Sequence, residues 1–118
     1  MNASSAQMAA TAREAGYEPM SVEQLRPNRW LMTLRPPFGE PLLVLAQRRP
    51  LVVAADVHDL AELLRLRRVA TGYLLAVAGR FSPEALAAAR EQRHPRVVLC
   101  ATLPPAGPAP ASGALERA

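Results

Sequence analysis

The sequence predicts one α/β domain, a mixed sheet with helices on its faces in the order α-β-β-α-β-α-β. Three observations carry this. Two strand-like runs flank a Pro/Gly-rich turn, as in a β-hairpin. Two further apolar runs, residues 71–78 and 96–101, each follow a stretch with helical periodicity. A β-α-β-α-β order implies parallel strands joined by crossovers, and the hairpin adds an antiparallel edge. A length of 118 residues fits one domain, and 50% hydrophobic residues supply its core.

Residues 1–7 are small and polar and read as frayed. A helix is expected over 5–15, with Met8, Ala9, Ala12 and Ala15 on one side and Gly16 as its stop. Residues 17–27 read as a connection holding at most a short extended piece. In residues 28–35, Trp30, Met32 and Leu34 alternate with Arg29, Leu31, Thr33 and Arg35, a strand period. Residues 36–41 (PPFGEP) make the turn, because proline fixes φ and glycine supplies unusual dihedrals. Residues 42–47 form the second hairpin strand, and Pro50 follows its end.

Residues 54–69 give the clearest helix, with Val57, Leu60, Ala61 and Leu64 as its apolar stripe. Asp56 and Asp59 lie in its first turns and Arg65, Arg67 and Arg68 in its last, an order that suits the helix dipole. Residues 71–78 are nearly all apolar, as in a central strand covered on both faces. Residues 79–81 turn the chain. Ser82 caps a third helix, residues 83–93, with Pro83 at its first position. Residues 96–101 complete the sheet. The ordered domain is thus expected over 8–103, followed by a disordered Pro/Ala-rich tail over 104–118.

All 14 basic residues are Arg, and the formal charge is +4. Residues 26–49 carry a net +4 and residues 65–101 a net +5, separated by a net −3 over residues 50–64. Two basic blocks around an acidic helix suggest a basic face and a polyanionic partner. One cysteine, Cys100, excludes an internal disulfide and a Cys-based zinc site. No signal-like or membrane-spanning run is present, which makes a bacterial-type cytoplasmic setting the default.

Three stretches resemble a known family. The opening helix ends in Ala15-Gly16-Tyr17-Glu18. The second hairpin strand reads Leu43-Val44-Leu45-Ala46-Gln47-Arg48-Arg49. The long helix at Val57-His58-Asp59-Leu60 is followed by Thr71-Gly72-Tyr73-Leu74-Leu75 and then Gly79-Arg80-Phe81-Ser82-Pro83-Glu84-Ala85. Together, over roughly residues 8 to 103, they resemble the Mrr-type restriction endonucleases, a family associated with DNA cleavage. The resemblance implies the restriction-endonuclease fold. It also implies a divalent metal held by an Asp on one hairpin strand and a Glu or Gln on the next, with a Lys two residues further on assisting the hydrolytic water. Gln47 matches the Glu/Gln and Arg49 matches the Lys. The first hairpin strand, residues 28–35, contains neither Asp nor Glu.

Such hydrolysis needs a hard cation, and Mg²⁺ in such sites takes one or two carboxylates. Glu40 sits in the hairpin turn, at the wrong end to meet Gln47. Glu14 is the best outside candidate, and a solvated helix position is its simpler reading. His58, Asp59 and Glu62 share a helix face with metal-like spacing, but the expected role of Asp56, Asp59 and Glu62 is a solvated face. His94 is expected in an exposed turn, Cys100 as an inert strand residue and Trp30 in the core.

The expected activity is therefore non-catalytic binding of DNA, mainly to the phosphate backbone, by Arg29, Arg35, Arg48, Arg49 and Arg80. No cofactor is expected. Two alternatives stand beside this. One is an active Mg²⁺-dependent endonuclease with a rebuilt site; two or more carboxyl groups converging within metal-binding reach beside Gln47 would overturn the non-catalytic reading. The other is an interaction or dimerisation module, since a small domain gains by covering its core with a second copy.

Overall fold

The computed structural model describes residues 3–106. Its elements are α1 (Ala3–Glu14), β1 (Glu18–Arg26), β2 (Arg29–Arg35), β3 (Leu42–Gln47), β4 (Leu51–Val52), α2 (Ala54–Arg67), β5 (Thr71–Ala76), β6 (Arg80–Phe81), α3 (Pro83–Glu91) and β7 (Arg96–Cys100). Five strands form one sheet in the order β1-β2-β3-β5-β7. The first three are antiparallel neighbours, and β3, β5 and β7 run parallel. Antiparallel strands can be joined by short turns, while parallel neighbours need crossovers, which α2 and α3 supply.

Side-chain alternation sorts the strands onto two faces. Trp30, Met32, Leu34, Val44, Ala46 and Leu75 pack under Met8 and Ala12 of α1. Leu31, Leu43, Leu45, Leu74 and Ala76 pack under Val57, Leu60, Ala61 and Leu64 of α2 and Ala85 of α3. The molecule is thus a helix–sheet–helix sandwich, and both faces of β3 are buried.

Several boundaries differ from the sequence expectation. Residues 17–27 are not a loose connection, because nine of them form β1. Most of this strand is exposed, so it lacks the apolar alternation by which a half-buried strand is recognised. Its Pro19 is tolerated at the sheet edge, where a missing N–H costs no ladder bond. Residues 3–7, expected to fray, belong to α1. Helix α2 stops at Arg67, because Arg68 adopts a left-handed conformation with φ 58° and ψ 43°. Residues 79–81 are more than a turn, since Arg80 and Phe81 pair in parallel with β4. Ser82 caps α3 as expected, its Oγ accepting the Ala85 N–H at 3.0 Å.

The start of the expected tail is also placed. Leu103 is buried, the Tyr17 hydroxyl donates to the Pro104 carbonyl at 2.6 Å, and the Ala106 N–H donates to the Ala15 carbonyl at 2.8 Å. This strap runs past Gly16, whose φ of +99° is open to glycine and strained for other residues. Residues 1–2 and 107–118, with the remaining expectations of disorder, lie outside the described residues. Among the described residues, no helix is long and apolar enough to cross a membrane.

One close approach fixes the end of the sheet that carries Gln47. A Cβ on Gly79 would lie 1.9 Å from the Arg49 carbonyl oxygen, so only glycine lets the β5–β6 connection cross the backbone after β3. The Arg80 N–H donates to the Pro50 carbonyl beside it, at 3.1 Å. Gly79→Ala should therefore lower stability by about 2–3 kcal/mol in urea unfolding, the usual cost of overpacking against backbone that cannot move aside. A loss of only a few tenths would contradict this contact.

Candidate functional site

Strand register builds the site. In the antiparallel β2–β3 pair, Arg29 stands opposite Gln47. Residues directly opposite each other point to the same face of the sheet. Here that face is the one covered by α2, as for Leu31 and Leu45. On α2, Asp56 and Asp59 are three residues apart and therefore neighbours on the helix surface. The three elements meet at one guanidinium. Arg29 donates from Nε to Gln47 Oε1 at 2.8 Å, from Nη2 to Asp56 Oδ1 at 2.6 Å, and from Nη1 to Asp59 Oδ2 at 2.9 Å.

Asp56 has a second role, its Oδ2 accepting the Val53 N–H at 2.9 Å. An anion in the first turn of a helix is favoured by the dipole and satisfies a donor that the helix leaves free. Arg29, Gln47 and Asp56 are 8%, 1% and 2% exposed, whereas the Asp59 side chain is 51% exposed. The Arg29–Asp56 pair is thus a buried ion pair with its hydrogen bonds satisfied, and Asp59 closes it on the solvent side.

Around this network lies an arginine rim. Arg26, Pro27, Asn28, Arg29, Gln47 and Arg49 line a pocket of about 150 Å³. Arg26 and Arg49 are exposed there. Arg48 lies over the Trp30 ring, 6.0 Å from its centroid, and its Nη2 donates to Gln7 Oε1 at 3.2 Å. Arg80, also exposed, follows the Gly79 crossing beside Pro50.

Among solved structures, the chain is similar to EndoMS in its apo form, with a TM-score of 0.54 and 18% identity. The match covers 89% of this chain and 48% of that one, so the chain spans about half the length of the EndoMS chain. The chain has the restriction-endonuclease-like fold. No family model and no curated protein matches it.

The metal implied by that fold does not fit the residues present. A hard dication wants free oxygen donors. The Gln47 amide oxygen and one oxygen of each aspartate already accept from Arg29, and the other Asp56 oxygen accepts from Val53. The guanidinium itself would repel a second cation. Among the described residues, no group of three or more His, Cys, Asp or Glu side chains converges.

Several sequence expectations are corrected here. Two carboxylates do meet beside Gln47, but from α2 and around Arg29. Asp56 belongs to the interior and not to a solvated face, because it sits four residues before Leu60 on the same helical stripe. Arg29 turns inward and is not a free phosphate ligand. Arg35 lies at the opposite end of β2, 3.8 Å from Glu18, and does not join Arg48 and Arg49. Glu14 is remote from Gln47. Helix α1 covers the other face of the sheet, and Glu14 stands about 10 Å along it from Gln7, the residue that reaches Arg48.

Other expectations hold. Trp30 is core, fully buried, with its Nε1 unpartnered among the described residues. His58, Glu62 and His94 are exposed. Arg26 was missed because residues 17–27 were not recognised as a strand. A two-residue Pro27-Asn28 turn between extended stretches is the signal that would have found it.

Asp56 and Asp59 should separate cleanly in stability. Asp56→Ala leaves a buried guanidinium short of its partner and should cost about 3–5 kcal/mol. Asp59→Ala removes a half-exposed partner and should cost about 1 kcal/mol or less. Equal losses in denaturant titrations would refute the buried assignment. Burial pushes the Cys100 thiol from its ordinary 9.0 up to about 11. The folded state thus favours the protonated thiol, so this stabilisation is complete below about pH 9 and is lost as pH rises towards 11. At pH 8 Cys100 should react far more slowly with a thiol–disulfide reagent in the folded chain than in the unfolded one.

Proposed function

We propose that this chain is a non-catalytic nucleic-acid-binding domain on a restriction-endonuclease-like fold, which grips phosphates with Arg26, Arg48, Arg49 and Arg80. The observation that carries this is the contrast between Arg29 and its neighbours. Arg29 is neutralised inside, while these four are exposed at one end of the sheet and, among the described residues, lie beyond ion-pair distance of any carboxylate. Arg80 stands beyond the carboxyl end of β5, where open α/β sheets tend to bind ligands. Guanidinium groups suit phosphate through forked hydrogen bonds, and backbone contacts carry little sequence information.

The two basic blocks of the sequence do not fuse into one face. Arg65, Arg67 and Arg68 end α2, Arg90 ends α3, and Arg96 pairs with Thr71 at the opposite end of the parallel strands. Cations at helix C-termini are explained by the helix dipole, so Arg65, Arg67, Arg68 and Arg90 need no ligand to account for them.

Non-catalysis rests on the occupied oxygens around Arg29. The EndoMS likeness supports the fold but leaves catalysis open, so a plasmid assay with Mg²⁺ or Mn²⁺ belongs with the binding test. A second reading, a homodimer joined through β1, draws on the exposed Met20 and Leu25 of that edge strand. Pro19 and two register breaks blunt the same edge, as in strands protected from pairing.

Binding to a DNA duplex should weaken steeply with salt. Replacing Arg48 and Arg49 together by Ala should reduce the slope of log affinity against log salt by about 2 without unfolding the chain. Replacing Arg90 and Arg93 should leave that slope nearly unchanged. Fluorescence anisotropy at several salt concentrations measures both. Loss of binding with Arg90 and Arg93 alone, or metal-dependent cutting of plasmid, would overturn the proposal.

A further inference from the structure

We propose that the free edge of β7 docks an acidic, extended segment of a partner protein, which adds to the sheet as a further strand and sets its carboxylates against Arg93 and Arg96. This goes beyond the nucleic-acid reading and does not depend on it.

The two edges of the sheet differ. β1 is blunted by Pro19 and two register breaks. β7 pairs with β5 along its whole length without a break, and it contains no proline. The Arg96 N–H turns inward, donating to the Ala70 carbonyl at 2.8 Å. Main-chain groups alternate sides along a strand in a parallel ladder, so those of Val97 and Leu99 turn outward. Among the described residues, no strand lies beyond β7 to take them. Such an edge is a template for another extended chain.

This edge opens onto a trough. Leu86, Ala89 and Arg90 of α3 face Val97, Val98 and Leu99 across a space of about 500 Å³. Leu86 is exposed and Leu99 is half-buried. Together they leave apolar surface for the side chains that an added strand would turn towards α3.

Charge decides the occupant. Arg90, Arg93 and Arg96 rim the trough, and all three are exposed. Among the described residues, none of them lies within ion-pair distance of a carboxylate. The dipole of α3 accounts for Arg90, but Arg93 and Arg96 lie outside any helix. An isolated bridge sets these two side by side at the start of β7. A second copy on this edge would double the cluster along one narrow seam, and like charges resist that. Charged side chains guard an open edge against self-pairing. The same charges select an anionic strand by making every other kind unfavourable. An acidic segment supplies both things the edge lacks: main-chain groups for Val97 and Leu99, and carboxylates for forked contacts with guanidinium groups. A DNA duplex offers only the charge.

The test uses the full chain and fluorescein-labelled peptides in which Glu alternates with Val, followed by fluorescence anisotropy. The Glu/Val peptide should bind, and its counterpart with Lys in place of Glu should not. Arg93→Ala with Arg96→Ala should weaken binding roughly tenfold, the combined worth of two or three exposed ion pairs, and leave the thermal melt unchanged. N-methylating one alternate set of peptide amides should abolish binding, because those N–H groups donate to β7 carbonyls. This last readout needs no change in the protein. Four results overturn the proposal: no binding of the Glu/Val peptide, binding indifferent to the two arginines, binding that survives methylation of either alternate set, or displacement of the peptide by a DNA duplex or by self-association of the chain. None of the peptide readouts requires DNA binding, so failure here leaves the phosphate-binding reading to its own assay.

Discussion

A positive charge sealed between a sheet and a helix must be neutralised in place, and that requirement organises this molecule. An ion of this size taken from water without partners costs several kcal/mol even after the protein relaxes. Arg29 meets the requirement with three acceptors drawn from β3 and α2. The arrangement fixes the seating of α2 on the sheet. Sliding the helix by one residue would rotate Asp56 and Asp59 away together, since successive residues lie about 100° apart around an α-helix. The apolar stripe of Val57, Leu60, Ala61 and Leu64 supplies most of the attraction, and it is non-directional. The guanidinium adds the direction that hydrophobic packing lacks.

The same register decides which arginines face water. Arg29 and Arg48 lie within a residue of one another's level on adjacent strands, yet one is enclosed and the other exposed. Alternation sends Gln47 to the α2 face and Arg48 past the end of the other face, where its stem lies over Trp30. Long cationic side chains commonly cover apolar surface while keeping the head group wet. A stripe of like residues in the sequence thus divides into structural and surface members, a division that follows from strand parity rather than from residue type.

That division explains what the sequence discloses and what it withholds. The hairpin, α2, the central β5, the Ser82 cap and α3 were legible because each carries a local signal: alternation, an apolar stripe, a continuous apolar run or a capping residue. β1 was not, because an exposed edge strand gains its stability from ladder hydrogen bonds that leave little trace in composition. At the site, the resemblance pointed to Gln47 and Arg49, and the structure sets Gln47 against Arg29 with Arg49 at the rim. The burial of Asp56 was visible in principle, since it stands on the stripe of α2, but charge suggested solvent. The pairing with Arg29 spans 27 residues and needs the strand register, which only the folded chain supplies.

The strap after β7 joins the two ends of the described chain. Ala106 is tethered at Ala15, where α1 hands over to β1, and that corner lies at the Glu18–Arg35 end of the sheet. The described chain therefore ends, at Ala106, at the pole remote from Arg48 and Arg49, and its last hydrogen bond ties that end to the turn that starts the sheet.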